Sequence, residues 1–292
     1  MQNSSSGRRV KGGGLERQNA YQTNQDPADL EYNQNVASAA DDRQFATTLA
    51  RGLDVLRSFS VVRPVLGNKE IAEETGLPRA TVSRFTYTLV KLGYLRGDPA
   101  TSKYRLGPAV ISLGYPLLAT LALRQAARPL MNELARQTRS SVSMGIRDRL
   151  SIVYVETSRA SAPWSAQLSD IGLRYPIAST AIGHAYIAGL DQAAREALLN
   201  EIRVHTPAMW TRHQERLLAV RAELTRKGFC SYGEQHPDFH AVGVPFGLAG
   251  TGDPVVFNCV AQVDVASRET VEKTLGPQLV AMVEQLRSAA GR

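Results

Sequence analysis

One segment, Asn68 to Lys91 (NKEIAEETGLPRATVSRFTYTLVK), constrains the fold more than any other. It reads as two helices joined by a tight turn. Asn68 is a suitable N-cap, because its side chain accepts an orphan backbone N–H. Ile71 and Ala72 supply the buried face of a short first helix. Gly76 ends that helix, since glycine enters the left-handed conformation without a Cβ penalty. Pro78 opens the second helix, where its missing N–H does no harm. Val82, Phe85 and Leu89 form an apolar stripe, and Arg79, Ser83, Arg84, Tyr87 and Lys91 occupy the other side. Ala72, Gly76 and Val82 stand at the fifth, ninth and fifteenth places of the window beginning at Asn68, the usual helix-turn-helix spacing. The alternative is a plain helical hairpin with a solvated face.

The flanks favour the first reading. Tyr94-Leu95-Arg96 and Lys103-Tyr104-Arg105-Leu106 are short alternating segments around the turn-rich GDPATS, which predicts a hairpin, or wing. Ala46 to Phe59 is an amphipathic helix with Leu49, Leu53, Val55 and Leu56 inward. Charge follows the same boundary. Residues 43–108 carry eleven Lys/Arg against five Asp/Glu, whereas residues 1–42 carry four against six. A basic excess on a reading head is the electrostatic footprint expected for DNA. Arg79, Thr81, Ser83, Arg84 and Tyr87 are the candidates for the major groove, with Arg51, Lys103 and Arg105 on phosphates.

The chain has 292 residues, enough for two domains with a core each. The expected division is a disordered tail at 1–42, a winged helix-turn-helix at 43–107, a linker and dimerisation helix at 108–123, broken at Pro116, and a second domain at 124–292. The second domain mixes helices (124–138, 180–189, 192–202, 212–227, 268–289) with strands (141–146, 151–155, 241–246, 255–263), so the fold class is α+β. Two cysteines are too few for a secreted disulfide framework. No secretory signal is visible and no apolar run reaches the roughly 18 residues of a membrane span, which makes a cytoplasmic protein away from membranes the expectation. No Walker loop, dinucleotide glycine fingerprint, GxSxG or HExxH occurs, so neither an enzyme nor a cofactor is expected. His236 and His240 have a spacing seen in zinc sites, which leaves a metal-responsive protein as an alternative. A small-molecule-binding protein without direct DNA readout is another.

LARGLDVLRSF (49–59), IAEETGLPRATVSRFTYTLVKLGYL (71–95), YRLGPAVISLG (104–114), the A-x-P-L at 127–130 and TAIGHAYIA (180–188) occur in the order typical of one family. Over about residues 45–290 the chain resembles an IclR-family transcriptional regulator. The resemblance implies an N-terminal winged helix, a dimerisation linker and a C-terminal GAF-like or profilin-like domain. That domain would bind a small effector, a carboxylate or aromatic catabolite, in a homodimer or homotetramer on double-stranded operator DNA. It assigns Met144, Cys259 and Ala261 to the effector cavity. Ser179, Thr180 and Gly183 join them at a helix N-terminus suited to a carboxylate. Glu234 stands in a loop that the family makes more acidic; here Gly233, Gln235, His236 and Pro237 intervene. His184 takes the place of a family lysine and is expected to face solvent or a subunit contact. Trp164 and Tyr175 are candidates for an aromatic wall.

Overall fold

The computed structural model describes residues 45–160, 170–232, 239–248, 254–263 and 265–291. The N-terminal lobe begins with α1 (Thr47–Arg57), followed by the short strand β1 (Leu66–Gly67), α2 (Asn68–Thr75) and α3 (Arg79–Lys91). Strands β2 (Leu95–Asp98) and β3 (Lys103–Leu106) complete a small antiparallel sheet of order β1-β3-β2. Val55, Phe59, Leu66, Ile71, Val82, Leu89 and Leu95 form its buried core, with Ala72 and Phe85 packed on the margin. Gly76 ends α2 at φ 66°, the left-handed turn that the spacing predicts.

Asn68 does not cap α2. Gly67 does, and its N–H donates to Glu70 Oε2 at 2.9 Å. The Asn68 side chain instead clasps the two helices. Its Nδ2 donates to Ser83 Oγ at 3.0 Å, and Thr86 Oγ1 donates to its Oδ1 at 3.2 Å.

The linker is α4 (Ala109–Thr120), which runs through Pro116 without a break. The break falls at Leu121, where α5 (Ala122–Thr138) departs at 83°. None of the α4 residues is buried.

The C-terminal lobe is built on a six-stranded antiparallel sheet of order β6-β5-β4-β9-β8-β7. The strands are β4 (Ser141–Asp148), β5 (Ser151–Arg159), β6 (Arg174–Pro176), β7 (Cys230–Tyr232), β8 (Phe239–Leu248) and β9 (Pro254–Gln262). Both edges, β6 and β7, were too short for a pattern to predict. Alternation along the strands divides the sheet into two faces. Val142, Met144, Val155, Val242, Val244, Phe257 and Cys259 pack against α5 and the C-terminal helix α10 (Gly276–Ala289). The expected closing helix is interrupted: α9 (Arg268–Thr270) and a π turn (Val271–Leu275) precede α10.

The opposite face carries α6 (Ala181–Gly189), α7 (Gln192–His205) and α8 (Pro207–Lys227) around Ile152, Tyr154, Ile182 and Val256. Helix α6 sits on bare backbone. A Cβ at Gly243 would lie 2.4 Å from Ala181 O, and one at Gly183 would lie 2.2 Å from Ile177 O.

Overpacking of this kind typically costs about 1–3 kcal/mol. Gly183→Ala is therefore expected to lower the urea midpoint. Gly52→Ala, in the middle of α1 with only Phe85 at 3.9 Å, should instead stabilise by about 0.5–1 kcal/mol. Equal midpoints for both variants would refute this account of the α6 seat.

Candidate nucleic-acid interface and ligand face

In the N-terminal lobe α3 turns Val82, Thr86 and Leu89 inward. Arg79, Ser83, Arg84 and Tyr87 remain exposed on one side, Tyr87 at 66%, with Lys91 Nζ 5.6 Å from the Tyr87 ring centre. Thr81 is half-buried at the edge of that face. Ser83 is accessible, but its hydroxyl already accepts the Asn68 amide. Arg51 is half-buried on α1.

In the wing, Arg96 and Arg105 are directly opposite each other on β2 and β3, and both are exposed. Like charges in that position repel, so the pair is poised for an anion. Lys103 differs from the expectation of a free phosphate contact. Its ammonium pairs with Glu70 Oε1 at 3.2 Å, tying the wing to α2. Arg96 takes its place as a free wing cation.

In the C-terminal lobe the effector residues expected together fall on opposite sides of the sheet. Met144, Cys259 and Ala261 are at most 1% exposed and belong to the core under α5 and α10. Cys259 Sγ lies 3.0 Å from Ser140 Oγ, and burial pushes its thiol up to about 11, so it is a neutral core group. Ser179, Thr180 and Gly183 lie on the α6 side. Thr180 caps α6: its Oγ1 accepts from Gly183 N at 3.2 Å and donates to Pro176 O at 2.6 Å. Ser143 and Asn258 are the side chains turned toward the α6 face, paired across β4 and β9 and continued by Gly243 on β8 and Thr157 on β5.

This row is polar. Ser143 Oγ lies 3.0 Å from Thr157 Oγ1, and Asn258 Nδ2 donates to the Tyr154 hydroxyl at 2.6 Å. Asn258 is 3% exposed, and its Oδ1 has no partner. Tyr154 and Tyr175 stack with ring centres 4.3 Å apart, and burial pushes both hydroxyls well above the ordinary tyrosine value, so both stay protonated. Arg159 pairs with the buried Asp170. Small polar residues inside a strand look like surface alternation in a sequence, which is why only Tyr175 of this set was legible. Glu234, His236 and Trp164 lie outside the described residues. His240 is the second residue of β8, and among the described residues no three His, Cys, Asp or Glu cluster as a metal site would require.

His184 does not face solvent. It is fully buried, and its ring edge meets Tyr232 at 5.6 Å. Nε2 lies 2.9 Å from Ala178 O. A carbonyl only accepts, so Nε2 carries the proton and Nδ1 is left as a buried acceptor without a partner.

A winged helix with a cationic recognition face, coupled by a helical linker to a two-faced sheet domain with a polar interior, defines a DNA-binding regulator with a sensory domain. The family model described as Bacterial transcriptional regulator IclR C-terminal matches residues 116–287, and the IclR helix-turn-helix domain matches residues 48–99. The chain belongs to the IclR family of transcriptional regulators. It is 35% identical over 245 residues to the HTH-type transcriptional regulator TsaQ1/TsaQ2 of Comamonas testosteroni, covering 82% of this chain and 87% of that one. It is 27% identical over 247 residues to the Pca regulon regulatory protein of Pseudomonas putida, covering 84% of each. The solved structure of an IclR family transcriptional regulator from Brucella abortus superposes with a TM-score of 0.71 at 39% identity, over 85% of this chain and 94% of that one.

Burial lowers the His184 pKa to about 4, against 6.5 for a free imidazole. The unfolded chain then binds the extra proton first as pH falls. The contribution of neutral His184 is complete above pH 6.5 and is lost progressively toward pH 4, by about 2 kcal/mol at pH 5. Urea midpoints should fall from pH 7 to pH 5, and less steeply in His184→Gln. An unchanged slope in that variant would show that His184 is not the group responsible.

Proposed function

We propose that this protein binds operator DNA as a dimer through α3 and the wing, and that a small molecule on the α6 face of the sheet controls the binding. The carrying observation is the exposed face of α3 with Arg79, Ser83, Arg84 and Tyr87, extended by the opposed Arg96 and Arg105. Arg79, Thr81, Ser83, Arg84 and Tyr87 are assigned to the groove and its edges. Arg51, Arg96 and Arg105 are assigned to phosphates, with Lys103 holding the wing in register. This activity belongs in the cytoplasm, with the chromosome.

Helix α4 supports the dimer. Ile111, Leu113, Tyr115 and Leu117 are 74%, 64%, 65% and 52% exposed and point to different sides of the helix. A helix that is apolar all round is stable in water only when covered, and a second copy of α4 supplies the matching surface. Two recognition heads would then sit about one DNA turn, or a multiple of it, apart.

The ligand class that fits the α6 face is an aromatic catabolite or carboxylate. Tyr154 and Tyr175 offer a ring surface. Asn258, Ser143 and Thr157 offer hydrogen bonds, and Ser179 and Thr180 lie at the positive end of α6. The matches to regulators of the Pca regulon support the same class. Met144, Cys259 and Ala261 act in this reading as the packed floor beneath the polar row, without touching the ligand; Glu234 belongs to the neighbouring loop.

In gel shifts with the intergenic DNA upstream of its own gene, binding should fall steeply with added salt, as phosphate contacts require. Arg84→Ala should weaken it by at least about tenfold, equivalent to about 1.4 kcal/mol. A folded Arg84→Ala protein that binds as tightly as wild type would remove α3 as the reading element. Light scattering tests the linker: Ile111→Asp with Leu113→Asp should give a monomer, and a variant that remains dimeric would place the subunit contact elsewhere.

A further inference from the structure

A cleft of about 440 Å³ lies at the β7 edge of the sheet, between α8 and the α9–π-turn segment. Its walls include no residue of α6, β4 or β5, so it is separate from the polar face described above. The volume falls within the range of roughly 300–1,000 Å³ common for small-molecule sites.

Its charges are arranged unequally. Five Lys/Arg line it against three Glu. Two of the carboxylates are already neutralised within the wall. Glu223 takes Arg216, Lys227 at 3.3 Å and the Ser231 hydroxyl at 2.8 Å. Glu272 takes Lys227 at 3.2 Å and Arg268 at 3.7 Å. Arg216 is fixed further by donating to Ser231 O at 2.5 Å. Among the described residues, the side chains of Arg212, Arg226 and His240 make no hydrogen bond or ion pair, although all three line the cleft. Arg212, His213 and Arg216 come from successive turns at one end of α8, and Tyr232 and His240 face them from β7 and β8. That end of the cleft therefore presents two guanidinium groups and two imidazoles, with the single carboxylate of Glu215 on the same stretch of helix. Tyr232 forms both the inner wall and the edge contact to His184, whose Nε2 holds Ala178 just before α6.

We propose that this cleft is a second ligand site, one that takes a small multiply charged oxyanion, such as a phosphate ester or a di- or tricarboxylate. The fixed Arg216 and the unpaired Arg212 provide fork-shaped donors for its oxygens. His213, His240 and the Tyr232 hydroxyl complete the ring of polar contacts. The network around Glu223 and Glu272 holds the cations in place before the ligand arrives, so little ordering is required on binding.

The test is calorimetric titration of the full chain with sodium phosphate and, separately, with citrate, in a buffer free of other oxyanions. The expected result is one saturable site per chain for at least one of the two anions. Arg212→Ala combined with His240→Ala should weaken it by at least about tenfold. Both side chains lack partners, so the variant should melt as wild type does. Should it unfold, Arg212→Gln alone serves, with a weaker loss expected. Thr157→Val, on the polar face, should leave anion binding unchanged. The proposal is overturned if wild type binds neither anion, if the Arg212 variants bind as wild type does, or if Thr157→Val abolishes the binding. Gel shifts with the same proteins report on the DNA-binding reading independently, because none of these residues lies in the N-terminal lobe.

Discussion

The seating of α6 on the sheet decides the rest of the C-terminal lobe. Three contacts bring helix and sheet to backbone distance. Gly243 faces Ala181 O, Gly183 faces the Ile177 turn, and Gly189 faces Pro245, whose Cβ would be 2.5 Å from any side chain there. A helix held this closely has little freedom to slide or rotate, because each of these gaps admits only hydrogen. Its orientation then fixes several consequences at once. Thr180 and the helix N-terminus face the turn at Ile177. His184 is driven inward against Tyr232, and the outer side of α6 is left for α8. The edge cleft exists because α8, placed in this way, overhangs β7.

The two faces of the sheet meet in adjacent residues of β5. Thr157 belongs to the polar row, and its neighbour Glu156 points to the other side. There the nearly buried Glu156 accepts two hydrogen bonds from Arg128, at 2.7 and 3.1 Å. Arg124 Nε lies 2.9 Å from the same oxygen, at an angle too oblique for a hydrogen bond. A buried carboxylate is stable only when it is paired, so α5 is bound to β5 at the point where the chain leaves the linker. The bulge between Met144 and Gly145 lies beside this grip. A ligand shifts such a system only by binding one arrangement more tightly than another. The path from the polar row to the linker is one residue long on β5. Arg57 of α1 feels the charges of the C-terminal lobe. Burial, followed by Arg149 and Arg174, lowers its pKa, against the opposing influence of Asp148.

The N-terminal lobe was legible because its signals are local. Gly76, Pro78 and the Val82/Leu89 stripe act over a few residues, and the structure keeps each of them. Leu49 and Leu53, expected inward, are exposed, and the role of Asn68 differs too: a cap and an interhelical clasp use the same side chain, and the clasp depends on Ser83 and Thr86, fifteen and eighteen residues away. In the sheet domain the resemblance gave the right elements, and the effector residues it assigned divide between the two faces of the sheet. The period of two in a strand sends Met144 and Cys259 to one face and Ser143 and Asn258 to the other, and the sequence alone does not say which helices cover either. His184 was misread for a related reason. A titratable residue in a helix suggests solvent, and only the close approach of α6 to its neighbours reveals that no exposed side remains.

The wing shows why charge counts and geometry have to be taken together. The excess of Lys/Arg over residues 43–108 is visible in the sequence, but its effect depends on which cations are already paired. Lys103 is spent on Glu70 and Arg63 on Glu74, so neither adds to an exposed field. Arg96 and Arg105 do the opposite, exposed and directly opposite each other in the register of β2 and β3. Repulsion of that kind is a small cost to the free protein, softened by water and salt. A phosphate placed between the two guanidinium groups relieves that repulsion and supplies two attractions in its place, so the same pair contributes more to the complex than two separated arginines would.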